Sequence, residues 1–235
     1  MHSPTSPQPS TEAHNWAAPD RSAQVSPVSI VDANSGPLAH SGIDYVFVYG
    51  SLLSPDSLAS TLTPAAVATV VGAHLLGFVR TFTVAFPNDG SQGDKAYFDH
   101  AGFRPPYVLF ANVVRGRSDE GTNGVLIPLG PGDLTALTNR ERRYELIDVT
   151  PRVELLGQTE AVPQSVVTFV GRSEFTDPTC TARGVLSRDY LDTIDDGVRF
   201  WDQRYPGFAQ AHQTATRVNP ATPIRHLTRV DGRNC

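Results

Sequence analysis

Asp44-Tyr45-Val46-Phe47-Val48-Tyr49 is a run of β-branched and aromatic residues with nothing polar between the two tyrosines. A strand with one wet face alternates apolar with polar side chains, so a run apolar on both faces predicts a strand buried on two sides. Gly50 breaks the run, and Ser51-Leu52 turns the chain. Ser54-Pro55-Asp56-Ser57 then supplies an N-cap residue, a proline at the first helical position and an acid in the first turn. That order predicts a short helix continuing through about Leu62.

Working outward, Val67 to Leu76 and Phe78 to Phe86 predict two strands with Gly77 at a bend or bulge between them. Residues 87–106 read as a long loop. Tyr107 to Val114 and Val125 to Leu129 predict a strand pair joined by the polar stretch Arg115 to Gly124. A helix is expected from Pro131 to Tyr144, then strands near Glu145–Leu156 and Ser165–Gly171. Ser187 caps a longer helix whose stripe is Tyr190, Leu191, Ile194, Val198 and Trp201, and a weaker helix spans 206–216. Strands and helices are interspersed without regular βαβ alternation, so the expected class is α+β. Residues 1–42 hold six prolines and eight serines but four charged residues, which predicts a disordered Pro/Ser-rich tail. A domain over 43–218 and a C-terminal extension over 219–235 complete the expected organisation.

Composition narrows the function classes. The chain has 235 residues, 40% hydrophobic and 18% charged, enough to bury a core without covalent staples. No apolar run approaches the length of a membrane span, and the N-terminus lacks the basic and apolar segments of a secretory leader. Two cysteines, Cys180 and Cys235, exclude a disulfide framework and a Cys-rich zinc site, and fit a cytoplasmic setting. A net charge of −5, with no basic cluster beyond Arg140, Arg142 and Arg143, argues against nucleic acid or membrane as partner. Lys95 is the only lysine among 19 basic residues. The oligomeric state is not legible.

Two places carry candidate chemistry. At Tyr49-Gly50-Ser51-Leu52 a glycine permits close backbone approach, and successive amides at a helical start favour an anion or a developing oxyanion. The alternative is an ordinary turn after a strand. On a helical wheel Glu141 lies seven residues from Leu134, on the inward stripe with Leu137 and Tyr144, while Arg142 and Arg143 rotate toward solvent. A carboxylate among apolar side chains is seldom found unless paired or used, and burial raises its pKa toward that of a general base or acid. The alternative is a stripe-edge carboxylate paired with Arg80 or Arg140. There is no HExxH, no histidine pair at ligand spacing, no GxGxxG and no phosphate-binding GxxxxGK[ST], so no metal or cofactor is expected. Ser51 lacks the GxSxG frame of a nucleophile elbow, and Cys180 has no visible activating partner.

Taken together, these segments resemble the γ-glutamylcyclotransferase superfamily, with its AIG2-like and ChaC-like branches. Val46 to Leu52 is similar to the opening strand and "YGS" loop. Leu76-Gly77-Phe78-Val79-Arg80-Thr81-Phe82 is similar to an "xGxxRxF" strand, and Asn112 to Leu129 to an "aN…GvlxxL" strand pair. Leu137 to Tyr144, with Val149 beyond, is similar to the "LxxxE…Y…V" segment, and Tyr190 to Gly197 to a late "YLxxIxxG" helix. The matches run collinearly from about 44 to 200. Thr138 and Leu52 depart from residues frequent in the family, which leaves the branch open. The resemblance implies a small mixed β-barrel with flanking helices and a cofactor-free reaction. In that reaction the α-amine of a γ-glutamyl peptide or amine attacks its own γ-carbonyl and releases 5-oxoproline. It implies Glu141 as catalytic base and acid, the Gly50, Ser51 and Leu52 loop as the substrate grip, and Tyr49, Arg80 and Tyr144 either as substrate contacts or as supports directly behind them. A binding module on the same fold and an amide-hydrolysing or acyl-transfer enzyme are the competing readings.

Overall fold

The computed structural model describes residues 43–157 and 164–232. The expected tail, residues 1–42, lies outside them. Strand β1 (Tyr45–Val48) is followed by a single 3-10 turn, Ser51–Leu53, and by α1 (Pro55–Ala59), with Pro55 at its first position as expected. The expected continuation to Leu62 is cut short. Thr63-Pro64 is a second cap-and-proline start, the Thr63 hydroxyl accepting from the Ala66 amide at 3.3 Å, and it opens α2 (Pro64–Ala68). Val67 is therefore helical, and strand β2 (Val71–Leu76) begins four residues later than the apolar run suggested. Gly77, at φ +72°, makes the expected bend into β3 (Phe78–Pro87).

The expected loop 87–106 contains a strand, β4 (Lys95–Phe98). Its cause is the buried Asn88. The Asn88 side-chain amide donates to the carbonyls of Tyr97 and Pro105 at 2.8 and 2.9 Å, and its oxygen accepts from the Tyr97 amide at 2.9 Å. Strands β5 (Tyr107–Arg115) and β6 (Gly121–Pro128) follow, the latter starting four residues earlier than expected. Helix α3 (Asp133–Arg140) stops short of the expected Tyr144; that tyrosine instead opens β7 (Tyr144–Asp148). Thr150-Pro151 interrupts the expected long strand with a 3-10 turn, since proline cannot donate to a ladder, and leaves β8 (Val153–Leu155). Then come β9 (Val166–Gly171), α4 (Pro178–Ala182), β10 (Gly184–Ser187) and the expected long helix α5 (Arg188–Arg204). Helix α6 (Phe208–Thr214) and short strands β11 (Thr216–Arg217), β12 (Ile224–Arg225) and β13 (Thr228–Asp231) complete the described chain.

One sheet has the order β7-β9-β1-β6-β2-β8 and a second the order β11-β3-β5-β10-β12, while β13 pairs with β4. Both larger sheets mix parallel and antiparallel pairs: β1 runs parallel to β9 and antiparallel to β6, and β5 antiparallel to β3 and parallel to β10. β1 is central, which explains its lack of alternation. The two sheets wrap one core, with α5 packed outside through Ile194, Val198 and Trp201. This is the expected α+β class, a small mixed β layer with flanking helices. No helix of the described residues is long and apolar enough to cross a membrane.

Two contacts close the seam between the sheets. On β5, the Asn112 side chain accepts from the Gly171 amide of β9 at 2.9 Å. The β3–β5 ladder also shifts register between Thr81 and Val84, which leaves Ala111 of β5 without a partner on β3. Unpaired backbone groups in a buried strand must be satisfied elsewhere. Here Tyr144 donates its hydroxyl to the Ala111 carbonyl at 2.7 Å, and the Ala111 amide donates to the Tyr190 hydroxyl at 3.1 Å.

Candidate active site

A narrow cavity of about 40 Å³ lies at that seam. Its walls are the end of β1 and its turn (Tyr49 to Leu52), Ala111, Tyr144, Tyr190 and Glu141. It adjoins a wider groove of about 1080 Å³ that shares Ser51, Glu141, Tyr144 and Tyr190 with it. The turn and Glu141, about 90 residues apart in the chain, therefore face one space. The first amides of any helical turn lack partners within it. Among the described residues, no loop or turn bond is donated by the amides of Ser51 or Leu52. Gly50 is closely packed: a Cβ there would stand 3.2 Å from the Ala111 Cβ and 3.3 Å from the Tyr190 hydroxyl, so these neighbours would have to give way slightly.

Glu141 is not on the helical wheel where the sequence placed it. It is the residue that ends α3, at φ −93° and ψ 45°, its amide bonded to the Leu137 carbonyl at 2.8 Å. The turn that follows, Tyr144 amide to Glu141 carbonyl at 3.0 Å, swings the chain into β7 and aims the carboxylate at the cavity. Burial raises the carboxyl above the ordinary carboxylate range, while Arg140, Lys95 and Arg143 pull it back. The Arg140 guanidinium sits 3.3 Å from the carboxylate. The expected pairing with Arg140 thus exists, yet the carboxylate still faces the cavity. Arg140 also donates to Ser57 Oγ at 2.7 Å, Thr61 Oγ1 at 2.6 Å and the Ser57 carbonyl at 2.9 Å, which ties the end of α3 to α1.

The tyrosines are fixed by main chain. Tyr49 donates to the Phe169 carbonyl at 2.6 Å, and Tyr144 and Tyr190 hold Ala111 as described. Burial is the largest cause raising all three phenols, so they act as neutral walls and dipoles at ordinary pH. Tyr190, expected in the apolar stripe and at the start of the late "YLxxIxxG" helix, was not expected to line the cavity. Its ring meets Phe110 and Phe82 edge-on at 4.9 and 6.5 Å.

Of the two roles expected for Arg80 its position fits the supporting one, and the expectation for Arg143 needs correction. Arg80 does not line the cavity. It is fully buried behind the turn, donating Nε to the Tyr49 carbonyl at 2.9 Å, with further bonds to Thr216 Oγ1 at 2.9 Å and to the Asn123 carbonyl. Burial lowers its pKa to about 9. It positions the turn and touches no open space. Arg143 does not rotate to solvent. The helix has ended before it, and it pairs with Asp94 at 2.8 Å with its guanidinium over the Phe86 ring at 4.4 Å. Arg142 is exposed as expected.

Lys95 lines the groove and was missed, because it lay in the expected loop. Its ammonium sits over the rings of Phe110, Phe86 and Tyr97 at 4.6, 5.3 and 5.7 Å. No signal in local sequence assembles that platform, since the rings come from β3, β4 and β5.

No family model matches the sequence, and no curated protein matches it. Among solved structures it is similar in fold to a γ-glutamyl cyclotransferase, at 16% identity over 76% of this chain and 90% of that one, with a TM-score of 0.49. It is similar to an uncharacterised protein from Homo sapiens at 19% identity, covering 76% of this chain and 90% of that one, TM-score 0.47. A γ-glutamyl cyclotransferase specific to glutathione, from yeast, is similar at 15% identity over 73% of this chain and 97% of that one, TM-score 0.41.

Proposed function

We propose that the chain is a γ-glutamyl cyclotransferase, with Glu141 as general base and acid. The observation that carries this reading is the placement of one pKa-raised carboxylate across a narrow cavity from the Gly50–Leu52 turn. The substrate's α-nitrogen attacks its own γ-carbonyl carbon. The new C–N bond closes a five-membered ring, and the old amide C–N bond breaks. Two protons leave the α-nitrogen and two arrive on the departing nitrogen, so a group beside both must take and return them. Glu141, with its raised pKa, suits that exchange near neutrality. Because nucleophile and electrophile share one molecule, holding the folded-back conformer supplies much of the acceleration, on the order of 7–11 kcal/mol at best. The narrow cavity and the three immobilised tyrosines serve that end. The amides of Ser51 and Leu52 face the developing oxyanion or the α-carboxylate.

The test is mass-spectrometric detection of 5-oxoproline from γ-glutamyl peptides and amines, with Glu141→Gln as control. Turnover should fall at least ~100-fold in that variant, the usual scale for losing a general base. Near-normal turnover in Glu141→Gln would remove the assignment. Free glutamate in place of 5-oxoproline would make the chain a hydrolase, with water replacing the tethered amine.

A further inference from the structure

The groove beyond the cavity is more positive than the rest of this acidic chain. Lys95 and four arginines line it, against the carboxylates of Asp94, Glu141 and Asp189. Two of the cations next to Lys95 are already matched. Arg143 pairs with Asp94 at 2.8 Å, and Arg229 pairs with Asp231. Lys95 is different. Among the described residues no oxygen accepts a hydrogen bond from its Nζ and no carboxylate pairs with it; its neighbours are the three aromatic rings. Aromatic faces attract a cation but accept its N–H bonds only weakly compared with an oxygen. The ammonium is partly stripped of water, and Lys95 lines the open groove. Such a group is kept at a cost unless an anion completes it.

We propose that Lys95 binds a free carboxylate on the leaving portion of the substrate, so that γ-glutamyl peptides ending in a carboxylate are preferred over γ-glutamyl amines. This rests on the cyclotransferase reading for which end of the substrate lies where. The γ-glutamyl head must enter the narrow cavity, where Glu141 and the Gly50–Leu52 turn meet, and Lys95 does not line that cavity. Whatever is attached to the γ-carbonyl then extends into the groove that Lys95 does line. A charge-assisted hydrogen bond in a partly dry site discriminates against a ligand lacking the charge by about tenfold or more.

Binding can be read apart from turnover in the Glu141→Gln chain, which does not consume its ligand. Three probes are titrated calorimetrically: γ-glutamylglycine, the same dipeptide amidated at its glycine carboxylate, and the same dipeptide amidated at its α-carboxylate. Each is measured with Lys95 intact and as Lys95→Met or Lys95→Arg. Methionine keeps the apolar stem on the rings, and arginine keeps the charge. The free acid should bind at least about tenfold more tightly than its glycine amide. Lys95→Met should erase that difference, and Lys95→Arg should retain part of it. The free acid's advantage should also fade as pH rises, from no higher than about 8: Lys95 loses its proton there beside Asp94, Glu141, Arg143 and Arg229, and Glu141→Gln removes one of the two carboxylates that favour its charged form. Equal binding of acid and glycine amide overturns the proposal, as does equal weakening of both in Lys95→Met. A dependence on the α-carboxylate instead, or no binding by the free acid, overturns it too. Failure of the cyclotransferase reading shows separately, as absent 5-oxoproline in the unaltered chain.

Discussion

Lys95 is a residue held against its own solvation. Burial, then the neighbouring charges of Arg143 and Arg229, lower its pKa from 10.5 to about 8. Between those values the unfolded chain holds a proton that the folded chain has released, so the charged group destabilises the fold below about pH 8, and the penalty fades as pH rises to 10.5. Lys95→Met should therefore make the protein more stable at pH 7, on the order of 1–2 kcal/mol after allowing for hydration from the groove. The gain should shrink between pH 8 and 10.5. Urea denaturation at pH 7 and pH 10.5 checks both statements. A variant that is less stable at pH 7 would mean that the aromatic platform more than compensates for desolvation. Glu141 shows the complementary case, a carboxylate whose raised pKa is limited by Arg140, so the pair keeps it ionisable in place.

At the scale of elements, the turn after β1 is held from behind. Arg80 of β3 reaches four oxygen atoms, among them the Tyr49 carbonyl that precedes the turn and the Asn123 carbonyl of β6. Replacing it with leucine leaves buried carbonyl acceptors unpaired, so Arg80→Leu should destabilise the fold by about 3 kcal/mol or more. Chemical denaturation reads this directly. An Arg80→Leu chain of unchanged stability but weakened substrate binding would return the residue to the substrate-contact role expected from sequence. What sequence could and could not show follows from the range of the forces. β1, the Gly77 bend and α5 were legible because each is written in consecutive or helically spaced residues. β4 was not, because its four residues depend on Asn88 and on β13, more than a hundred residues away. Glu141 was recognised as inward-facing, but through a helix that stops one residue before it, because the turn into β7 is not visible in periodicity. Arg143 was read as a solvated charge for the same reason.

On the scale of the whole molecule, the candidate site exists only where two sheets meet. Ala111 belongs to one sheet, Tyr144 to the other, Tyr49 follows directly on β1, and Tyr190 belongs to the helix outside both. Closing the seam and forming the cavity are one event. The stability of that closure has an acid limit set near its rear wall. His212 of α6 is buried close to Arg80, and burial, then that arginine, lower its pKa from 6.5 to about 3. The unfolded chain takes up a proton below pH 6.5 that the folded chain refuses until about pH 3. Stability from this group is therefore full above pH 6.5 and is lost as pH falls toward 3. The urea midpoint should drop more steeply from pH 7 to pH 4 in the unaltered protein than in His212→Gln. Parallel slopes in the two would show that His212 is not the group responsible.

The solitary lysine described above has a practical side. Reagents that couple to amines, such as activated-ester dyes, biotin labels and resins, find only one side-chain amine in all 235 residues, and it lies in the groove. Unlike ordinary proteins, on which such labels scatter harmlessly over the surface, this one would be marked on the wall of the groove beside the candidate site. Its lowered pKa leaves a larger share in the neutral, nucleophilic form at pH 8. Immobilisation and tracer work on this protein should use its arginines or its two thiols instead.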